Sequence, residues 1–401
     1  MPTGAADKVH RSQDPAAKTR ADHRIDVHRV ASIVHEGRNL HGLQTGDPQH
    51  RGNEVTPGVH EHPSPRELGH HPPASGTGPI LRHVSDDTGD LAQRALLDQL
   101  GLKLFNISVA TPDRERWRAR TAKWRQLAAD DGAHYAWCAG FDLPRFEDAG
   151  YFDAVLAGLQ RDFDEGALAC KIWKNIGMEV KKPDGSFMMV DDPYFDPIYD
   201  YLEKRDIALL LHIGEPLACW QPLDNPQNPH YNYYSNNPQW HMHGRDDFPS
   251  HAEIIAARDR LVAKRPGLRI IGAHLASLEY DVAEIAQRLD LFPNFAVDTS
   301  ARQLDLACQD SAIVRQFITT YRDRILYGSD MVYNEFSSEL EPTARQERLA
   351  SAKARWQMEF AYYESSDMVD VRGRLVQGLG LATDVLEDLY YRNAERWYPG
   401  L

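Results

Sequence analysis

The stretch IALLLHIG, residues 207–214, is a nearly continuous apolar run that delivers a single histidine, His212, near its end. A strand with one face in water would alternate apolar and polar residues, whereas a parallel strand buried on both faces is apolar throughout. The stretch therefore predicts a buried strand of a parallel sheet, with His212 presented at the strand's carboxyl end.

Further apolar runs of this kind recur along the chain, and segments of helical period separate them. One such segment, residues 250–267, opens with a capping-box pattern at Ser250 and Glu253 and stops at a Pro-Gly pair. The alternation predicts an α/β protein with a (β/α)8 TIM barrel, and an open doubly wound sheet is the alternative. The other expected strands are ILRHV (80–84), LKLFNISV (102–109), HYAWCAGF (134–141), LACKIW (168–173), LRIIGAHL (268–275), NFAVDTS (294–300) and RILYGSD (324–330).

The first 80 residues have a different composition from the rest of the chain. They contain no Phe, Tyr or Trp, yet they hold ten of the 18 histidines. Such a segment has too little apolar surface to form a core of its own. We therefore expect residues 1–78 to be a low-order extension, disordered, inserted or misannotated, and residues 79–401 to form the barrel domain.

Charge and hydropathy limit the classes of partner. Basic and acidic residues balance in residues 1–80, so the formal net charge of −14 belongs to the remainder of the chain. An acidic body argues against nucleic acid or an anionic membrane as a partner, since both require a basic surface. No apolar run is long enough to span a bilayer, and no secretory h-region follows the N-terminus. We expect a cytoplasmic protein with a small-molecule substrate, and a homo-oligomer is an open alternative.

Four polar residues fall at the carboxyl ends of expected strands: His83, His212, His274 and Asp330. In a β/α barrel the strand ends converge on one face, where the active site lies. Imidazole and carboxylate groups are the usual ligands of zinc and related divalent metals. The four residues therefore indicate a metal site that could activate water or polarise a substrate oxygen.

Three motifs in these regions, LLLHIGEP, IIGAHLAS and ILYGSD, resemble the strand-5, strand-6 and strand-8 signatures of the amidohydrolase superfamily. The likeness is to its amidohydrolase-related (amidohydrolase 2) branch of metal-dependent hydrolases and decarboxylases, and the C-terminal residues 378–398 are similar to that branch as well. The resemblance implies that His212 and Asp330 are metal ligands, and that His274, together with Asp330, is catalytic. It implies a divalent metal cofactor, zinc first and manganese as the alternative.

The branch has an H-x-H motif at the end of strand 1, and this chain departs from it. His83 matches the second histidine, but Leu81 stands where the first is expected. The earlier stretch RIDVHR (24–29) is similar to strand 1 up to its first histidine, and joining Arg29 to His83 would spell IDVHRHVSDD. We therefore expect His28 to be a further ligand and residues 30–82 to be an insertion, with a chance likeness as the alternative.

Two groups near the predicted site are candidates for substrate binding or ligand support. Lys171 at the end of the fourth strand could bind a substrate carboxylate, and by the resemblance a lysine here could also be a carbamylated metal bridge. Lys174 is the alternative candidate for binding the carboxylate, but it could equally lie at a solvated helix start. Glu215, three residues after His212, could orient a ligand or face the substrate, and a plain turn carboxylate is the alternative.

About 36 residues join the His212 strand to the helix at Ser250, which predicts a functional loop such as a lid. We expect its rings to cover the mouth or to form an oligomer contact, with Trp220 binding substrate and His241 and His243 serving as polar groups of the lid. Arg302, after the seventh strand, is another candidate for substrate binding, and a structural ion pair is the alternative. The loop's aromatic residues are Trp220, Tyr231, Tyr233, Tyr234 and Trp240.

Three functions fit these observations. The first is metal-dependent hydrolysis or non-oxidative decarboxylation of a small carboxylated ring compound. The second is metal-independent, lactonase-like hydrolysis, which the departure at Leu81 favours. The third is a barrel that has lost catalysis and only binds a ligand, which the retention of three strand-end residues disfavours.

Overall fold

The computed structural model describes residues 29–34, 88–226, 228–331 and 341–401, with only the backbone at 29–34 and 88–90. Within these residues eight strands form one sheet in chain order, and every neighbouring pair is parallel. No pairing of the last strand with the first is found among the described residues. The strands are β1 (Arg29–Val34), β2 (Leu102–Ile107), β3 (Tyr135–Gly140), β4 (Ala169–Ile172), β5 (Ala208–Leu211), β6 (Ile270–Gly272), β7 (Phe295–Asp298) and β8 (Ile325–Leu326).

Helices connect successive strands, as parallel pairing requires. The helix before β6 carries the predicted capping box between Ser250 and Glu253. A two-stranded antiparallel hairpin, β9 (Met368–Val371) and β10 (Arg374–Gln377), follows the longest helix. The helices and helical turns are α1 (Thr88–Leu100), α2 (Arg114–Asp130), α3 (Tyr151–Asp164), α4 (Asn175–Met178), α5 (Asp196–Lys204), α6 (Tyr231–Asn236), α7 (His251–Lys264), α8 (Ala273–Ala276), α9 (Val282–Leu291), α10 (Gln303–Ala307), α11 (Ser311–Thr320), α12 (Pro342–Glu364), α13 (Thr383–Glu387) and α14 (Asn393–Trp397).

Both faces of the sheet are buried, which explains why its strands are apolar throughout. In β5, Leu209 and Leu211 belong to the large core between sheet and helices, whereas Ala208 and Leu210 belong to a second cluster on the other face. The C-terminal Tyr398 also packs on this second cluster, with its ring 4.8 Å from that of Phe105. The alternation of side chains leaves the strand ends as the place where polar groups can gather.

The seven strands predicted from residue 102 onward are all present, and the mixed α/β class with a parallel sheet is confirmed. The strand beside β2 is Arg29–Val34, which comes from the segment that the sequence analysis kept apart from the barrel. Its composition, RVASIV, includes β-branched residues that favour a strand. The stretch ILRHV (80–84) lies outside the described residues, so the domain boundary at residue 78 stays a prediction.

The long loop after β5 is more ordered than its composition suggests. It contains two 3₁₀ turns, Leu217–Trp220 and Pro238–Trp240, and helix α6. Its rings are largely covered, because Tyr234 is buried and Trp220, Tyr233 and Trp240 pack against the core. In the part of the chain that is described, no helix is long and apolar enough to cross a membrane.

Candidate active site at the carboxyl ends of the strands

His212 follows the last residue of β5 and is buried at 2% exposure. Neither of its ring nitrogens has a hydrogen-bond partner among the described residues. Burial lowers the pKa of His212 well below its ordinary value, and the positive charges of neighbouring groups, including Lys171, lower it further. The imidazole is therefore neutral at pH 7, with a lone pair available to a ligand.

His274 is held by an unusual backbone turn after β6. The four residues from His274 to Ser277 all have positive φ, between 55° and 59°, a region that residues other than glycine rarely adopt. A Cβ on Gly272 would lie 2.5 Å from the Cβ of Ala276, so only glycine allows the turn to fold back so tightly. The Asp298 carboxylate fixes the start of the turn by accepting the His274 N–H at 2.9 Å.

The orientation of the His274 ring determines which nitrogen can react. Its Nδ1 lies 2.8 Å from the backbone oxygen of Ser300 and, since a carbonyl only accepts, Nδ1 is the donor. The neutral ring then has its lone pair on Nε2, which is buried and has no hydrogen-bond partner among the described residues. Burial and the charge of Arg302 lower the pKa of His274 well below its usual value. The rings of His212 and His274 are 4.2 Å apart in an edge-on arrangement.

The two histidines open into a cleft of about 220 Å³. Asp330, which follows β8 and has a positive φ of 49°, lines the same cleft. The structure therefore brings together three of the residues predicted from the strand ends. The cleft is lined by His212, Glu215, Pro216, Pro229, His230, Tyr233, Tyr234, His274, Ala301, Arg302, Leu304, Asp305, Asp330 and Arg372.

Arg302 also lines this cleft, as the sequence predicted for a substrate-binding group. Its pKa is raised although burial alone would lower it, because the carboxylates of Asp305, Glu279 and Asp330 face it. The guanidinium therefore stays charged in a buried setting. A fixed cation beside two neutral imidazoles is suited to hold an anionic group of a substrate.

His230, Glu279 and Asp305 form a polar cluster that sequence reasoning missed. His230 Nε2 lies 2.7 Å from Asp305 Oδ1, and one ligand atom from each residue falls within 4.8 Å of the others. Glu279 also accepts the backbone N–H of Leu217 at 3.1 Å. Because Arg302 already faces both carboxylates, we interpret the cluster as anionic support for that guanidinium and as an anchor for the long loop.

Two lysines lie at the carboxyl end of β4, Lys171 within the strand and Lys174 just after it, and their surroundings differ. Lys174 is buried and forms an ion pair with Glu215, while its ammonium lies 4.4 Å from the Trp240 ring. The interpretation of Lys174 as part of a solvated helix start is therefore wrong. Lys171, also buried, is not among the residues that line the cleft, but its charge acts on both histidines. Glu215 lines the cleft and also meets the Tyr234 hydroxyl, which donates at 3.4 Å.

Trp220 lies elsewhere in the loop. Its indole N–H donates to Pro249 O at 3.0 Å and its ring packs on His251 at 5.3 Å, and it is not among the described residues that line the cleft. His241 and His243 bond to backbone oxygens of the same loop, Gln221 O and Trp220 O. Those contacts agree with their interpretation as polar groups of the loop.

The two predicted ligands of the first strand, His28 and His83, lie outside the described residues, as does Leu81. Their part in the site stays a prediction. The described site therefore consists of His212, His274, Asp330 and Arg302 with their supporting groups.

A family model described as amidohydrolase matches residues 175–400, which is more than half of the chain. The chain therefore belongs to the amidohydrolase family, and it is an enzyme of that family. The matched region contains the cleft residues His212, His274 and Asp330. The family predicted from the strand-end motifs is confirmed.

Two solved structures are among those similar to the chain. One is 2,6-dihydroxybenzoate decarboxylase from Rhizobium, with 19% identity over 79% of this chain and 88% of that chain, and a TM-score of 0.46. The other is 4-oxalomesaconate hydratase from Rhodopseudomonas palustris, with 13% identity over 79% and 84% of the two chains and a TM-score of 0.45. No curated protein was found to match the chain.

Proposed function

We propose that this chain is a divalent-metal-dependent hydrolase or non-oxidative decarboxylase of a small carboxylated ring compound. The observation that carries the proposal is His212, a buried neutral imidazole whose two nitrogens have no hydrogen-bond partner among the described residues. Burying an imidazole in this state costs free energy, because it loses its bonds to water and gains none in return. A metal ion would supply the missing partner.

The donor set fits zinc, with manganese as the alternative. One imidazole from His212 and one carboxylate from Asp330 are described, and the sequence offers His28 and His83 as further ligands. In a closed (β/α)8 barrel, residues at the carboxyl end of the first strand would lie next to Asp330. Because the described β1 begins at Arg29, His28 would be a ligand only in the different strand register of the joined motif IDVHRHVSDD. When bound, such an ion supplies Lewis acidity and an acidified water molecule.

The chain's own residues would position the substrate and move protons. Arg302 would hold a substrate carboxylate by charge-assisted hydrogen bonds. His274 would accept or deliver a proton at Nε2, since its Nδ1 is fixed by the Ser300 carbonyl. Tyr233 and Tyr234 from the long loop line the cleft and would limit the access of water to the bound compound.

Elemental analysis of the purified full chain tests the metal assignment. About one equivalent of zinc or manganese, with turnover lost on chelation and restored by that metal alone, is the expected result. Turnover that survives complete chelation would instead support a metal-independent, lactonase-like hydrolase. Stoichiometric metal with no turnover on any carboxylated ring compound would support a barrel that only binds its ligand.

Deleting residues 30–82 tests the role of His28. The deletion would join His28 and His83 into an H-x-H motif, so the resulting protein should bind the metal more tightly than the full chain. Changing His28 to Ala in the deletion protein should remove the gain. Because the deletion also removes most of β1, circular dichroism is needed to show that the protein still folds. Equal metal affinity of the full chain and a folded deletion protein would contradict the insertion hypothesis.

A further inference from the structure

A second arginine reaches the cleft from outside the barrel strands. Arg372 is at the tip of the β9–β10 hairpin and lines the same cleft as Arg302 and the two histidines. The tip is a two-residue turn, Arg372-Gly373, between the paired residues Val371 and Arg374. The C-terminal hairpin thus contributes a cation to the mouth of the site.

The backbone at this tip is unfavourable for an arginine. Arg372 has φ of 54° and Gly373 has φ of 86°, which is the conformation of a type I′ turn. Asn-Gly or Asp-Gly is the preferred sequence for this turn, because a Cβ is crowded at positive φ and the short polar side chains of Asn and Asp offset this with local hydrogen bonds. A residue that opposes local preference at a ligand cleft suggests a functional reason for its presence.

Arg372 is exposed at the mouth of the cleft, and the charges of the site act on its guanidinium. The pKa of Arg372 is lowered, first by desolvation and then by the positive charges of Arg355 and Arg302, while Glu359 and Asp305 act in the opposite direction. Three carboxylates already balance the charge of Arg302. Arg372 therefore adds a positive charge that the carboxylates of the cleft neutralise only in part. An anionic ligand group would offset the positive charges of Arg355 and Arg302 that act on Arg372.

We propose that Arg372 binds a second carboxylate of the substrate, so that the enzyme acts on a small dicarboxylate. The inference rests on the proposed function, which assigns the inner part of the cleft. There Arg302, His212 and His274 bind the reacting part of the compound. Arg372 binds the carboxylate on the opposite side, at the mouth. It is a specificity-determining residue and takes no part in bond breaking.

The test compares two probes, benzene-1,3-dicarboxylate and benzoate, by titration calorimetry with the full chain at fixed metal content. The parent protein should bind the diacid about tenfold or more tightly than the monoacid. Arg372→Asn should weaken diacid binding by about tenfold and leave benzoate within about twofold. The substitution creates the favoured Asn-Gly turn, so a thermal melt should show equal or higher stability and exclude a folding defect.

Arg374→Asn is the matched control. Arg374 lies on the same hairpin but lines a neighbouring cavity of about 380 Å³ and not the cleft, so its loss should leave the affinity for both probes unchanged. Equal affinity of the parent for the two probes, or equal weakening of both in Arg372→Asn, would overturn the inference. A parent protein that prefers the diacid but holds no metal or shows no turnover would contradict only the proposed function. A parent protein that holds metal and turns over a carboxylated ring compound, but binds both probes equally, would contradict only the dicarboxylate assignment.

Discussion

Three histidines are buried among the described residues, and two of them differ sharply from the third. His212 and His274 end strands and face the cleft, with three of their four ring nitrogens lacking hydrogen-bond partners among the described residues. His251 begins helix α7 on the outer layer, where its Nε2 donates to Ser277 O at 2.8 Å and its ring packs on Trp220. All three have a lowered pKa caused chiefly by burial.

The difference separates residues that stabilise the fold from residues that serve a ligand. A buried polar group that lacks a partner costs roughly 1–3 kcal/mol, whereas a satisfied one is close to neutral or favourable. His251 follows the rule for stable cores, because its hydrogen bond and its ring contacts make up for the lost water. His212 and His274 break that rule together and at one place, which is typical of an active site.

The largest effect is expected for His212→Ala. If His212 is the ligand proposed above, its removal should abolish stoichiometric metal binding and lower turnover by more than about 100-fold. The free energy of unfolding of the metal-free protein should fall less than in His251→Ala, because both changes remove a buried ring but only His251 also loses a hydrogen bond. Elemental analysis, initial rates and urea unfolding check the three statements, and His251→Ala is the control that should keep its metal but lose stability. Full metal content in His212→Ala would contradict the assignment.

His274→Asn should separate proton transfer from metal binding. We expect turnover to fall about 10²- to 10⁴-fold, the usual contribution of a general acid or base, while the metal content stays that of the parent. The amide can still donate to Ser300 O, so the turn should be kept. Measurement of kcat and KM alongside elemental analysis would show the loss in kcat. A variant that loses its metal together with its activity would make His274 a ligand.

Arg302→Gln tests whether the guanidinium beside His212 and His274 binds the substrate. Its loss should raise KM for a carboxylated substrate about tenfold, since a charge-assisted hydrogen bond to the substrate is removed. Arg302→Lys keeps the charge without the planar fork and should recover part of the affinity. A change confined to kcat in both variants would assign Arg302 to the reacting centre and not to substrate binding.

Much of the fold could be predicted from the sequence because a parallel sheet leaves a strong pattern. Seven apolar runs became β2 to β8, and the Ser250–Glu253 capping box marked the start of α7. The first strand was harder to locate. Two separate stretches of the N-terminal region are similar to parts of one strand, and the described strand, Arg29–Val34, is next to the earlier of them. Local pattern alone cannot say which stretch pairs with β2.

The site could be predicted where it depends on strand ends and not where it depends on turns. His212, His274 and Asp330 each follow an apolar run, so their convergence was expected from the barrel arrangement. Arg372 is about 70 residues beyond Arg302 on a hairpin outside the strand–helix alternation, and no local pattern joins it to the cleft. The left-handed turn at His274 could not be predicted from the sequence either, because it depends on long-range contacts such as the hydrogen bond from the His274 N–H to Asp298.

The smallest effect concerns His251 and is a change in stability with pH. Burial lowers the pKa of His251 to about 4 in the folded state, against about 6.5 for an exposed histidine. Because the unfolded chain binds the proton more readily, stability is fully present above about pH 6.5 and is lost as the pH falls towards 4. The total loss from this residue is at most about 3 kcal/mol.

His251→Gln should remove that dependence, because the amide does not titrate and can still donate to Ser277 O. Urea unfolding at pH 8 and at pH 4.5 gives the change in free energy for each protein, and the difference between the two changes isolates His251 from other titrating groups. We expect the parent to lose roughly 2 kcal/mol more than the variant between these two pH values. Metal content and turnover at pH 8 should be equal in both proteins, since His251 does not line the cleft. Equal losses in the parent and the variant would mean that His251 titrates alike in the folded and unfolded chains, and the contrast between it and the cleft pair would then rest on hydrogen bonding alone.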